Sequence, residues 1–347
     1  MSGSAMNLEI WRPVLAFGLL FLIAFGVSAG LVMVLRPLLL RHVLAKPNVR
    51  SSHRVPTPQG GGIAVIAALV IAAACSPVVV PEIAAAAPEL AVLIAAVIGL
   101  AIVGVSDDIR PLDALPRLIL QTIAVAVVIA MLPADMRVLP PFVPWWAERA
   151  LMLLAGVWLV NLVNFMDGID WMTVAEVVPV TIGLTIAAWL GVLPAEAAVI
   201  AVALCGAMLG FAPFNKPVAK IFLGDVGSLP IGLLLFWLLV MLAGSGFLAA
   251  ALLLPLYYVA DATITLFRRL YAGEKIAQAH RRHFYQRALD GGLPVNAIIA
   301  RVAVLNASLI VLAVTTILFP SLETDAIALA AGCGLTALRL YRFERSA

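Results

Sequence analysis

The chain has 347 residues, of which 64% are hydrophobic and only 12% charged, with a net charge of +3. A soluble domain carries about 25% charged residues, so this composition excludes one and predicts an all-α integral membrane protein. The small net charge says little by itself and gives no reason to expect a nucleic-acid partner.

A bilayer core of about 30 Å takes roughly 20 apolar residues per helix. Runs of that size predict eleven spans in a single membrane domain over 1–347, at 13–35, 62–80, 88–106, 115–132, 147–163, 172–191, 195–213, 227–243, 247–266, 296–319 and 323–338. The first run is too long for a signal-peptide core and is followed by Arg36, so it is expected to remain as a helix. Segments after odd-numbered spans hold nineteen of the 22 Lys and Arg residues, leaving only Arg12, Arg137 and Arg149 on the other side. That bias predicts an N-terminus outside and a C-terminus in the cytoplasm, as in the inner membrane of a bacterium. Cys75, Cys205 and Cys333 lie in or beside apolar runs with no ligand spacing, and packing is expected of them.

Polar residues gather at the predicted cytoplasmic ends. After the first span comes Lys46-Pro-Asn-Val-Arg-Ser-Ser-His53-Arg54-Val-Pro-Thr57-Pro-Gln59-Gly60-Gly61-Gly62. Exposed amides at a helix start, with Lys and Thr nearby, suit an anionic group, although a basic loop with a glycine-rich helix start would read the same way. Asp107-Asp108-Ile-Arg110 follows the third span; such a pair can hold Mg²⁺, which prefers oxygen ligands, or can simply cap a helix. After the fifth span, Asn164, Asp167 and Asp170 recur every third residue and could line one surface able to read a nucleobase or sugar edge.

The eighth span opens with Phe222-Leu-Gly224-Asp225-Val-Gly227-Ser228. Asp225 suits the helix dipole there, while the glycines suggest that something approaches the backbone closely. Lys216 and Asn215 precede it, and Phe222 could stack on a base. The last loop is centred on His280-Arg281-Arg282-His283-Phe-Tyr285-Gln286-Arg287. Two His without a third ligand argue against zinc, and His interleaved with Arg suits a diphosphate or lipid phosphate. Asp261 is a weaker candidate, expected to pair with Arg268 or Arg269.

In this order, Pro-Thr57-Pro-Gln-Gly-Gly-Gly, Asp107-Asp108, Asn164-Phe-Met-Asp167-Gly-Ile-Asp170 and Phe222-Leu-Gly-Asp225-Val-Gly-Ser228 resemble the polyprenyl-phosphate N-acetylhexosaminyl-1-phosphate transferases (glycosyltransferase family 4). The resemblance covers the loops from Lys46 to Arg287. It implies Mg²⁺ (or Mn²⁺) on Asp225 and Asp108, with Asp107 and Asp108 engaging the lipid phosphate. It places Asn164, Asp167, Asp170, Asn215 and Phe222 on the nucleoside side. Lys46, Thr57 and the loop with His280, Arg281, Arg282 and His283 would hold phosphates and sugar, with the two histidines at the reacting groups. The implied reaction passes a sugar 1-phosphate from a UDP-N-acetylamino sugar to undecaprenyl phosphate, by direct attack or through an aspartyl-phosphate, in an enzyme that forms homodimers.

Peptidoglycan-type members carry consecutive histidines where this chain has His-Arg-Arg-His. That departure favours the O-antigen branch, with UDP-GlcNAc or a deoxy-amino sugar such as UDP-FucNAc or UDP-QuiNAc as donor. The rival reading is a secondary transporter of an anionic solute. Transporters place carboxylates near the bilayer midplane and often have repeated halves, whereas here the acids lie at span ends and no repeat is evident.

Overall fold

A computed structural model describes residues 3–42, 44–45, 56–275 and 280–346. It is an all-α membrane bundle. In chain order, α1 (Gly3–His42) leads through a two-residue ladder, β1 (Leu44–Ala45) against β2 (Thr57–Pro58), to α2 (Gly62–Val79). A short 3₁₀ turn precedes α3 (Ala87–Ile109), followed by α4 (Ala114–Ala130), α5 (Trp145–Met166), α6 (Met172–Trp189) and α7 (Ala195–Asn215). Then come α8 (Asp225–Gly244), α9 (Leu248–Leu253), α10 (Leu256–Tyr271), α11 (Phe284–Asp290), α12 (Val295–Leu318) and α13 (Leu322–Arg345).

Nine of these helices, among the described residues, are long and apolar enough to cross a membrane. The other two expected spans take different forms. α4 has 17 residues, about 26 Å of helix, and falls short of a full bilayer core. The ninth expected span is broken at Pro255, whose missing N–H and bulky ring interrupt the ladder and separate α9 from α10.

Burial runs from the centre outward. The apolar span of α8 is wholly buried, with α3 and α5 packed along it, while α1 and α2 lie on α7 and α12 lies on α6 and α13. Leu22, Val34, Ile102, Leu154 and Val311 project outward from the peripheral helices, as side chains facing lipid must. Cys75 and Cys205 pack inward as expected, whereas Cys333 is exposed on α13; all three are free thiols. Fixing α8 at the centre matters most, because its first residue is Asp225.

Candidate active site

The first turn of a helix leaves backbone amides without partners, and no side chain of α8 caps its own start. Asp108, from the last turn of α3, caps it instead. Its Oδ1 accepts the Asp225 N–H at 2.9 Å and its Oδ2 the Val226 N–H at 3.2 Å. Gln59 Nε2 also donates to Oδ1. Gly224 has a φ of 78°, and a Cβ there would lie 2.5 Å from Asp108 Oδ2. A Cβ on Gly104 would lie 2.4 Å from the Asp225 carbonyl. The close approach that the glycines foretold is therefore made by α3 at Gly224 and by Gly62 of α2 at Gly227. Asp108, expected to ligate metal, spends both oxygens on the α8 cap and Gln59.

Its neighbour Asp107 points elsewhere, since adjacent helical residues do not share a face. Asp107 accepts the Leu112 N–H at 2.7 Å and Arg117 Nη1 at 2.9 Å. It also lies within hydrogen-bonding reach of the Asp225 carboxylate. Arg117 Nη1 stands 3.6 Å from Asp225 Oδ2, so one guanidinium serves both acids. On the far side, Asn164 Nδ2 donates to Asp225 Oδ1 at 2.8 Å and to Ser228 Oγ at 2.9 Å. Four helices thus converge: α3 supplies Asp107, α4 Arg117, α5 Asn164 and α8 Asp225.

The expected row of Asn164, Asp167 and Asp170 fans out, because α5 ends at Met166 and the helical register ends with it. Asp167 accepts the Thr173 hydroxyl. Burial pushes its carboxyl up to about 6, with the charges of Asp108 and Asp170 adding to the rise. Asp170 turns to the next loop and accepts the Ala219 N–H at 2.9 Å. Asn215, expected to face a nucleoside, is buried. It accepts the Trp171 N–H and donates to the Ile221 carbonyl, both at 2.9 Å, and so ties two loops together.

Stability should carry the signature of Asp167. In the unfolded chain its carboxyl ionises near 3.8, and in the fold near 6. The fold therefore favours the protonated form: its contribution is complete below pH 3.8 and is lost as pH rises through about 6. Thermal midpoints measured between pH 4 and 7 should fall with pH at this position, and Asp167→Asn should flatten that part of the profile.

The glycine-rich stretch is also satisfied internally. Gly60 and Gly61 donate to the Phe222 carbonyl and Gly62 to the Leu223 carbonyl, at 2.8–3.2 Å, while the Phe222 N–H bonds the Pro58 carbonyl at 2.9 Å. Those amides, read in the sequence as an anion cradle, instead hold the two loops together. Thr57 is buried in β2, and the Phe222 side chain is half-buried. Lys46 lies outside the described residues.

The His/Arg loop is organised by Asp261, which is fully buried. It pairs with His283 Nδ1 at 3.1 Å and accepts the Phe284 N–H at 3.1 Å, where an ion pair with Arg268 or Arg269 was expected. Those arginines engage Glu344 and Glu274. Arg281 pairs with Asp290 at 2.6 Å, and Arg282 pairs with Glu274. The His280 and His283 rings lie 4.9 Å apart. Burial, with His283, Arg269 and Arg282 close by, lowers His280 to about 4, so it is neutral at pH 7. A Cβ on Gly168 would lie 2.2 Å from the Tyr285 hydroxyl, which places this loop directly on the Asp167–Asp170 turn.

Three participants escaped the reading of the sequence as site residues: Gln59, Arg117 and the anchoring role of Asp261. Arg117 had a signal, since a cation in the first turn of a helix opposes the dipole and needs a local anion.

Among the described residues, no three His, Cys, Asp or Glu side chains gather closely enough to hold a metal alone. Asp107 and Asp225 nonetheless face each other across a shared cation, the donor set that Mg²⁺ accepts when water and phosphate oxygens complete its shell.

The glycosyl transferase family 4 model matches residues 90–243, a stretch that includes every acidic residue of this cluster. A decaprenyl-phosphate N-acetylglucosaminephosphotransferase of Mycobacterium leprae is 29% identical over 92% of this chain and 88% of its own length. The Mycobacterium tuberculosis protein of the same name is 32% identical, over 72% and 69%. A probable undecaprenyl-phosphate N-acetylglucosaminyl 1-phosphate transferase of Bacillus subtilis is 25% identical, over 78% of each.

Proposed function

The chain belongs to glycosyl transferase family 4, and from that premise we propose that it transfers N-acetylglucosamine 1-phosphate from UDP-GlcNAc to a polyprenyl phosphate, releasing UMP. The observation that carries this reading is the convergence of Asp107 and Asp225 on one cation at the membrane edge, where a lipid phosphate and a water-soluble nucleotide can meet. The names of the relatives support the donor and the prenyl acceptor. The distribution of basic residues supports a cytoplasmic site and a C-terminus inside. The lipid-linked product would open the synthesis of a cell-surface glycan such as O-antigen.

A phosphate monoester has a second pKa of about 6, so the lipid phosphate is largely dianionic at pH 7 and needs little deprotonation. One of its oxygens attacks the sugar-linked phosphorus; a new P–O bond forms as the bond to UMP breaks. Asp107 and Arg117 position the acceptor, and Asn164 holds the Asp225 carboxylate in place. Asp107 and Asp225 would hold Mg²⁺, which would supply positive charge to offset that of the diphosphate. Asp167, Asp170 and the half-buried ring of Phe222 would serve the nucleoside. The His/Arg loop covers the sugar and phosphates, with neutral His280 as a hydrogen-bonding group.

The test is UMP release by purified protein with polyprenyl phosphate, Mg²⁺ and a panel of UDP-N-acetyl sugars, with EDTA as control. Metal-dependent UMP formation from UDP-GlcNAc is expected, and no turnover with any sugar in folded protein would overturn the reading. A second prediction concerns the loop. Asp261→Ala strands the Phe284 N–H and frees His283, so KM for the UDP-sugar should rise about tenfold, equivalent to about 1.4 kcal/mol, with kcat little changed. An unchanged KM would remove the loop from donor binding.

A further inference from the structure

A second recess, which the proposed reaction does not use, lies between α12 and α13. It encloses about 410 Å³ and is lined by Arg301, Leu338, Arg339, Tyr341, Arg342 and Arg345. Glu344 on the same turns of α13 pairs with Arg287 of α11, so the recess sits at the end of the bundle that carries the acidic cluster. None of the acidic-cluster residues lines it.

Its arginines differ from those of the neighbouring His/Arg loop and α10. Arg268, Arg269, Arg281, Arg282 and Arg287 all have carboxylate partners. Among the described residues, Arg301, Arg339, Arg342 and Arg345 have none; Arg339 and Arg345 only lie over the rings of Phe343 and Tyr341. Arg339 Nε is moreover buried without any hydrogen-bond partner. Favourable placement at a helix C-terminus explains Arg342 and Arg345 in the last turn. It does not explain Arg301 arriving from another helix, nor a buried unpaired donor on Arg339. Four converging cations without a counter-charge call for an anion.

The flank of the recess identifies what carries that anion. Leu338 and Tyr341 are 45% and 53% exposed, and apolar and tyrosine side chains at a membrane edge border acyl chains and head groups. Basic pockets between membrane helices on the positively charged side suit anionic lipid head groups. We propose that this recess binds the phosphate of an anionic membrane phospholipid, at a site separate from the acidic cluster.

The test is native mass spectrometry of the purified full chain in neutral detergent with phosphatidylglycerol, phosphatidylcholine or inorganic phosphate. Wild type should retain one phosphatidylglycerol and no stoichiometric phosphatidylcholine. Arg342→Gln and Arg345→Gln should each weaken retention by about fivefold, the worth of one basic residue at an anionic lipid. The Arg301→Gln/Arg339→Gln pair should abolish it. Arg342 and Arg345 are exposed, so their variants should keep the wild-type thermal midpoint in lipid-free detergent and remain informative if the double variant does not fold. Equal retention by wild type and the single variants would overturn the proposal, as would equal binding of phosphatidylcholine. Displacement of phosphatidylglycerol by equimolar inorganic phosphate would overturn the lipid assignment and leave a soluble phosphate as the ligand.

Discussion

Asp225→Asn is expected to lower turnover by about a thousandfold, the scale on which a preorganised electrostatic group at a reacting centre acts. The substitution is nearly isosteric, and the new amide can present its oxygen to Asn164 Nδ2, so the local hydrogen bonding at 2.8 Å can survive. What disappears is one of the two negative charges gathered around Arg117. Binding of a divalent cation should weaken in step with turnover, seen as a higher Mg²⁺ concentration for half-maximal activity. Stability should not fall with it. In EDTA, Asp107 and Asp225 are two carboxylates in direct contact, and removing one relieves their repulsion. A thermal midpoint in EDTA that is equal to or higher than wild type, together with the lost activity, is the expected pair of results. Retention of more than a tenth of wild-type turnover would remove Asp225 from the chemistry.

Much of this arrangement was legible in the sequence because the membrane is a severe solvent. Apolar run length predicts where helices lie, and all eleven expected positions carry helix. Carboxylates at span ends are costly unless they are used, which marked Asp107, Asp108, Asp167, Asp170 and Asp225 as a group. The partners of each group were not legible. The Asp-Asp pair reads as two equal ligands, yet one side chain turns toward the amides of α8 and the other toward Arg117, a choice made by the packing of α3 on α8. Gly60-Gly61-Gly62 looks like an anion cradle until residues 222 and 223, far along the chain, arrive to accept its amide hydrogens. Asn215 looks like a reader of bases for the same reason: a polar side chain's role depends on which backbone groups its loop leaves unsatisfied. The break at Pro255 was not legible from proline alone, because Pro77, Pro179, Pro213 and Pro230 lie inside continuous helices.

The adjacent acid separates position from chemistry. Asp108→Asn should lower the thermal midpoint as well as the rate, unlike Asp225→Asn. Asp108 receives three donors: the Asp225 and Val226 amides and Gln59 Nε2. An asparagine offers one accepting oxygen and turns its NH₂ toward at least one of those donors, leaving it unsatisfied at a cost of about 3 kcal/mol. The first turn of α8 then loosens, and with it the bearing of Asp225 on Asp107, so turnover should fall with stability. Gly224→Ala is a second route to the same result: its methyl group would enter the space held by Asp108 Oδ2, on a backbone whose φ of 78° disfavours any side chain. Both variants should destabilise the protein in EDTA, where Asp225→Asn does not. If Asp108→Asn kept the wild-type midpoint and still lost activity a thousandfold, Asp108 would act at the reacting phosphate itself. The cap at the start of α8 would then be secondary to that role.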